Sequence, residues 1–189
     1  WAPHLKNWRV AASAGLPVRA TEIEAENCDP AACFGYILPR RAEVPASAVV
    51  GVAVRLAPSD WNIKIAGDYR DERALTLALD ALVWGSVAGG VTVAGFASGE
   101  NQRSGVHPSL SARVGAEYEW LPGRLRGRLG AYWEPGRVED VAGRPHVTVG
   151  LEARVFSFSL WGPRRIRVSA TGDFAPRFIN AGVSVGFWH

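Results

Sequence analysis

The last twelve residues, Phe178 to His189, constrain this chain more than any other stretch. Read two at a time, Ile179, Ala181, Val183, Val185 and Phe187 fall on one side. Phe178, Asn180, Gly182, Ser184, Gly186 and Trp188 fall on the other. Side chains of a strand alternate between its faces, so the pattern predicts a strand with one apolar and one small or polar face. The chain then stops on aromatics, with no polar tail. A soluble domain rarely ends this way. A strand of an outer-membrane barrel does: it is apolar toward lipid, small or polar toward the lumen, and aromatic at the interface.

Nowhere does the sequence hold about 18 apolar residues in a row, which excludes a membrane helix. A barrel remains open, because its alternation averages away in any hydropathy window. A length of 189 residues suggests one domain. The absence of an N-terminal Met and of a signal peptide suggests a mature chain or a fragment. The net charge of +3 comes from 19 Arg and 2 Lys. The Arg excess is what a GC-rich genome would give. These residues recur at alternate positions and form no contiguous patch, so nucleic acid is not an expected partner.

The same alternation predicts strands at Trp8–Pro17, Ala48–Ala57, Trp61–Arg70, Ala74–Trp84, Ser109–Trp120, Arg124–Trp133, Pro145–Val155 and Arg165–Phe174, with a weaker one at Val91–Ala97. Ala74–Trp84 is rich in Ala and Leu and reads alternatively as a helix; its strict alternation favours strand. With the terminal strand the total is ten, most of about ten residues, the length a tilted membrane strand needs. The expected fold is all-β: an antiparallel up-and-down transmembrane β-barrel of about ten strands, over residues 1–189. Short turns at Pro58–Asp60, Gly85–Gly90, Leu121–Gly123 and Phe156–Pro163 are assigned to one end. Thr21–Pro45, Asp71–Arg73, Gly99–Pro108, Glu134–Arg144 and Ala175–Arg177 are assigned to the other. Short periplasmic turns and longer outer loops are the outer-membrane arrangement, and an even strand count puts both termini on the periplasmic side.

A soluble barrel or sandwich would alternate too, with its apolar face buried. Two features favour the membrane. Aromatics of the apolar face sit at strand ends: Trp8, Trp61, Tyr69, Tyr118, Trp120, Trp133, Phe174 and Phe187. That is a girdle, with Ile, Val, Leu, Ala and Gly between. The opposite face carries both signs on neighbouring strands: Arg113, Glu117, Arg126, Arg128, Glu152, Arg154, Arg165, Arg167 and Asp173. These are expected to line a polar lumen, with Arg126, Arg128, Arg165 and Arg167 pairing with acids such as Glu117, Glu152 and Asp173.

Three stretches carry a resemblance. They are Val44–Pro58, Ser109–Arg137 with its G-x-E-Y, P-G, L-R and G-x-Y-x-E-P-x-R elements, and the two strands V-T-V-G-L-E-A-R-V-F and A-G-V-S-V-G-F-W-H. Together they resemble the C-terminal part of outer-membrane transporters of the long-chain fatty acid and aromatic hydrocarbon type, over about Val44 to His189. The resemblance implies passage of hydrophobic small molecules across a bacterial outer membrane. Members of that family have about fourteen strands and an N-terminal plug. This sequence shows neither the extra strands nor the plug, and no ligand-binding residue carries over.

No catalytic constellation is evident, so the chain is not expected to be an enzyme, and no cofactor is expected. The four His, at 4, 107, 146 and 189, lack metal-ligand spacing. His146 reads as a hydrogen-bonding strand residue. His107-Pro108-Ser109 hints at a barrel esterase without a third orienting group. Cys28 and Cys33 flank Asp29-Pro30-Ala31-Ala32 in an outer loop, and a disulfide is expected in an oxidising envelope; free thiols or a metal clip are the alternatives. Beside transport stands a structural or assembly role as a subunit of a larger envelope complex. Expected partners are outer-membrane lipid, hydrophobic small molecules and other envelope subunits. The strand at Trp8–Pro17 is expected to close the barrel by pairing with Ile179–Trp188, the alternative being strands supplied from elsewhere.

Overall fold

The computed structural model describes residues 6–19, 43–62, 70–87, 90, 103–138, 141–159 and 162–188. Within them the chain is all-β. Ten strands form: β1 (Trp8–Gly15), β2 (Val18–Arg19), β3 (Glu43–Val44), β4 (Ser47–Leu56), β5 (Leu75–Trp84), β6 (Ser109–Leu121), β7 (Leu125–Glu134), β8 (Arg144–Ser159), β9 (Pro163–Ala175) and β10 (Phe178–Trp188). Eight of them make one sheet in the order β1-β4-β5-β6-β7-β8-β9-β10, antiparallel throughout. The short β2 and β3 pair with each other, Val18 with Val44 and Arg19 with Glu43, at the base of the segment between them.

The register explains why this order forms. Val10, Val52, Leu79, Val114, Ala131 and Val147 face one another strand by strand, and Phe174 pairs with both Val147 and Ile179. The apolar face of one strand thus meets the apolar face of the next. A slip of one residue would turn a whole strand over, so the pattern itself fixes the pairing. Ala74–Trp84 is strand and not helix for this reason: β5 matches ten residues of β4 and ten of β6.

Two of the expected strands, Trp61–Arg70 and Val91–Ala97, fall mostly outside the described residues. β4 pairs directly with β5 and β5 directly with β6, so neither 61–70 nor 91–97 lies between them. Trp61 and Asn62 form a turn against the start of β1, where both backbone N–H groups donate to the Lys6 carbonyl. Residues 63–69 and 91–102 lie outside those described. The direct pairing moves two turns. Asp71–Arg73 lies at the same end as 57–60, 122–124 and the start of β1, here the turn end. Gly85–Val87 lies at the other, the loop end, with 16–17, 45–46, 135–138, 141–143 and 176–177. The aromatic stretch at 156–159 is not a turn but the last part of β8, paired with Pro163–Ile166 of β9.

The expected closure is not found. Among the described residues β1 pairs only with β4 and β10 only with β9, so β1 and β10 are the open edges of the described sheet. Nor is the sheet half of a sandwich. Among the described residues, strands of the main sheet touch only their sheet neighbours. The usual distribution of side chains is inverted. Leu129 is 59% exposed and Ile179 78%, while among the described residues the buried apolar side chains are Ala74, Leu82 and Val87. Glu119, Glu152 and His146, on the opposite face, are 5%, 3% and 2% exposed. Aromatics mark both margins of the apolar face, Trp8, Trp120 and Phe187 at the turn end and Trp133 and Phe174 at the loop end. Trp120 lies flat across Gly127 of β7, whose missing Cβ makes the room; any side chain there would strike the indole.

Candidate functional site

The charged face of β5 to β9 gathers most of the ionisable groups of the sheet. Alternation puts them on one side, and the register sets their neighbours. Glu117 on β6 stands opposite Arg128 on β7, and Arg126 stands opposite both Glu119 and Glu152. From this follows a continuous ladder. Arg128 Nε donates to Glu117 at 2.7 Å and its Nη2 to Glu152 at 3.0 Å. Arg126 bridges Glu117 at 3.2 Å and Glu119 at 3.0 Å. Arg154 reaches Glu119 at 3.4 Å and Glu152 at 3.5 Å, and Arg167 approaches Glu152 at 3.8 Å. Glu119 also accepts the Gly123 backbone N–H at 2.6 Å, tying the ladder to the β6–β7 turn. Side chains of one sheet thus bury each other with no second layer over them. Carboxylates this poorly hydrated are tolerable because each meets two or more cations.

A second cluster lies toward the loop end. His146 on β8 is held between two carboxylates, Nδ1 at 2.8 Å from Asp173 and Nε2 at 2.9 Å from Glu134. Tyr132 donates to Asp173 at 2.7 Å and stacks on the imidazole at 4.3 Å between centroids. Arg144 donates to Glu134, and its guanidinium lies 4.8 Å from the Phe178 ring. With both ring nitrogens occupied, His146 ties β7 to β9 and has no nitrogen left for a substrate or metal. Among the described residues no group of three metal-binding side chains is assembled.

The third group sits at the turn end. Arg165 on β9 grips Asp71 with both terminal nitrogens, each at 2.6 Å. Asp71 precedes β5, four strands away from β9 in the sheet order. Four strand spacings amount to roughly 19 Å in a flat sheet. The pair forms because residues 71–74 lean over the β6–β7 turn and the sheet curls toward its charged face. Gly123, at φ +70°, makes that approach possible; a Cβ there would collide with the Asp71 carboxylate. The hydrogen bond from Arg165, with its charge and that of Arg154, holds the Asp71 carboxyl below its usual range. Next to it, Glu72 turns the opposite way. Burial opposes its charge, but hydrogen bonds from Ser59 and Arg55 outweigh that and lower its pKa as well.

The nine charged residues singled out from the sequence all lie on this face, eight of them in the three settings. Glu117, Arg126, Arg128, Glu152, Arg154 and Arg167 form the ladder. Arg165 pairs with Asp71, not with Asp173. Asp173 joins the histidine cluster. Arg113 stays outside all three, with its guanidinium 5.9 Å from the Tyr132 ring centre. Glu119 and Tyr132 share the same alternation and were legible from it; Glu134 and Arg144 were expected in the loop between the two strands, whereas they end β7 and begin β8. Asp71 carries no such signal, since its role depends on a contact 94 residues away. His107 is exposed and the Ser109 hydroxyl is buried without a hydrogen-bond partner, so they make no dyad. Cys28, Cys33, His4 and His189 lie outside the described residues.

No family model, curated protein or solved structure matches this chain. What the face does chemically must be read from its own geometry. Between the ladder and the histidine cluster runs a band of small residues, Ala78, Gly115, Gly130 and Thr148, in register across four strands. Over it lies a depression of about 440 Å³ flanked by Asp80, Arg113, Glu117 and Arg128. The face is therefore crowded with charge at both ends and open across its middle.

Proposed function

We propose that this sheet is wall of an outer-membrane β-barrel, its apolar face toward lipid and its charged face toward the lumen, and that the barrel passes hydrophobic small molecules. The observation that carries the membrane reading is the inversion of burial. A contiguous apolar surface crossing eight strands far exceeds what soluble monomers leave exposed, and no layer of the described residues covers it. Bilayer would cover it, and the aromatic margins suit the two interfaces. Passage of apolar molecules rests on the resemblance to the fatty acid and aromatic hydrocarbon transporters. The open middle of the charged face gives the room.

The two open edges favour a second reading, a structural or assembly role in a larger envelope complex. Unpaired backbone at β1 and β10 would not be tolerated in lipid, so further strands must complete the wall. If another protein supplies them, the chain is one subunit of a composite barrel.

Reconstitution into vesicles separates these readings from a soluble one. Arg placed at Val149, in mid-strand on the apolar face, is expected to destabilise the inserted protein by about 2–4 kcal/mol. Arg126→Gln should leave insertion intact. Equal damage from both substitutions would sink the assignment of faces. Uptake of an apolar fluorescent probe by vesicles carrying the completed barrel, and not by empty ones, tests transport itself.

A further inference from the structure

The turn end holds a small polar pocket of about 220 Å³, which meets the ladder at Arg154 and shares no residue with the histidine cluster. Arg124, Arg154 and Arg165 line it, and the Asp71 carboxylate takes both terminal nitrogens of Arg165 at 2.6 Å and lies 3.9 Å from Arg154. The side chains of Arg154 and Arg165 are mostly buried, so their orientation is set before any ligand arrives. Arg165 presents the planar fork that Asp71 now fills, and that fork fits phosphate oxygens equally well. Asp71 stands on a connection and not on a strand, so it can leave without disturbing the sheet ladder.

The surroundings indicate what carries the phosphate. Between Arg154 and Phe156 the β8–β9 register shifts by a bulge. Val155 and Phe156 are consequently both exposed beside the arginines, and both line the pocket. An apolar surface adjoining a cationic pocket, at the margin of the apolar face, matches an acyl chain joined to a phosphate.

We propose that this pocket binds a phosphate group, that of a phospholipid headgroup at the edge of the bilayer, and that Asp71 occupies the pocket when the phosphate is absent. The lipid source rests on the membrane reading above; the phosphate chemistry does not.

The test uses the protein in neutral detergent, titrated separately with inorganic phosphate and with phosphatidic acid in mixed micelles. Wild type, Asp71→Asn and Arg165→Gln are compared, with far-UV circular dichroism as the check on folding. Asp71→Asn removes the internal competitor and should tighten phosphatidic acid binding about tenfold, whereas Arg165→Gln should weaken it about tenfold. If Arg165→Gln does not fold, the gain in Asp71→Asn decides alone. Inorganic phosphate responding as strongly as the lipid would keep the phosphate site and overturn the lipid as its source. No change in either ligand's binding on Asp71→Asn would overturn the proposal. Phosphate binding that persists in a protein unable to enter vesicles would defeat the membrane reading and leave the pocket standing.

Discussion

Strands β6 to β9 and the two edge strands share one alternation but differ on the charged face. The central four carry Glu117, Glu119, Arg126, Arg128, Glu152, Arg154, Arg165, Arg167 and Asp173 there. β1 carries Arg9, Ala11, Ser13 and Gly15, and β10 carries Asn180, Gly182, Ser184 and Gly186. The centre supplies its own counter-charges and buries them against each other. The edges supply small residues and a row of unpaired backbone groups. The difference teaches that the centre is complete as a single layer, while the edges are shaped to meet further strands. Small side chains on β1 and β10 let another strand approach without steric conflict, and the one charge among them, Arg9, is held by Asn62 and the Trp61 ring.

The comparison breaks first at its strongest point. Glu152 is almost fully buried and meets Arg128, Arg154 and Arg167. Glu152→Ala leaves three cations without their shared acid. Removing one partner of a buried pair costs about 3–5 kcal/mol. Arg128 and Arg167 remain partly hydrated, so the lower part of that range is expected in urea unfolding from vesicles. A loss below about 1 kcal/mol would show that the ladder is no more than a hydrated surface network.

Next in size is the effect at the turn end, through pH. Asp71 has a folded pKa below its ordinary value of 3.8. A depressed carboxylate stabilises the fold above its unfolded pKa, and that contribution is lost as pH falls through the folded value. The Asp71–Arg165 contact should therefore be intact at neutral and mildly acidic pH and release only below about pH 3.8. A fluorophore attached at Ser157→Cys, beside the pocket, should report release in that range. In Asp71→Asn the signal should already be that of the released state at pH 7. A transition near pH 6 in the parent protein would assign the change to another group.

How much of this was legible in the residues follows from the range of the forces involved. Alternation is local, so the strands, the apolar face and the charged face could all be read from neighbours two apart. Pairing between sequence-adjacent strands followed from Ser109 onward, where each expected strand pairs with the next. Trp61–Arg70 and Val91–Ala97 alternate as well, yet β4, β5 and β6 pair without them. Alternation tells which residues could line a strand, not which strands win partners. The Asp71–Arg165 pair depends on how the sheet curls and on Gly123 clearing the way, and neither is encoded within a few residues of Asp71. The partners of Asp173 were misjudged for a related reason. Arg165 and Arg167 lie on the same strand as Asp173 but farther toward the turn end, whereas His146 and Tyr132 stand beside it across β8 and β7.

The open edges can be tested directly. Cysteines at Ser13 and Ser184, on the charged faces of β1 and β10, are expected not to crosslink within one chain, because the two strands do not pair. Ready crosslinking of monomeric protein in vesicles, judged by gel mobility without reductant, would show that the sheet closes on itself in lipid.

The smallest expected effect discriminates most finely between a bare edge and a covered one. Ser184 on β10 shares a hydrogen bond of 2.7 Å with Ser169 on β9, and both hydroxyls are exposed. In the open sheet water replaces that bond at once, so Ser184→Ala should change stability by less than about 0.5 kcal/mol. Once another strand covers the edge, the Ser169 hydroxyl is left in a drier place without its partner, and the cost should rise to about 1 kcal/mol. Measuring Ser184→Ala in detergent-held single chains and again in the assembled membrane form gives the difference directly. Ser13→Ala on β1 should behave the same way, because that edge is equally bare. A cost that rises at Ser184 and stays flat at Ser13 would mean that only β10 gains a neighbour, and that the wall is extended from one side alone.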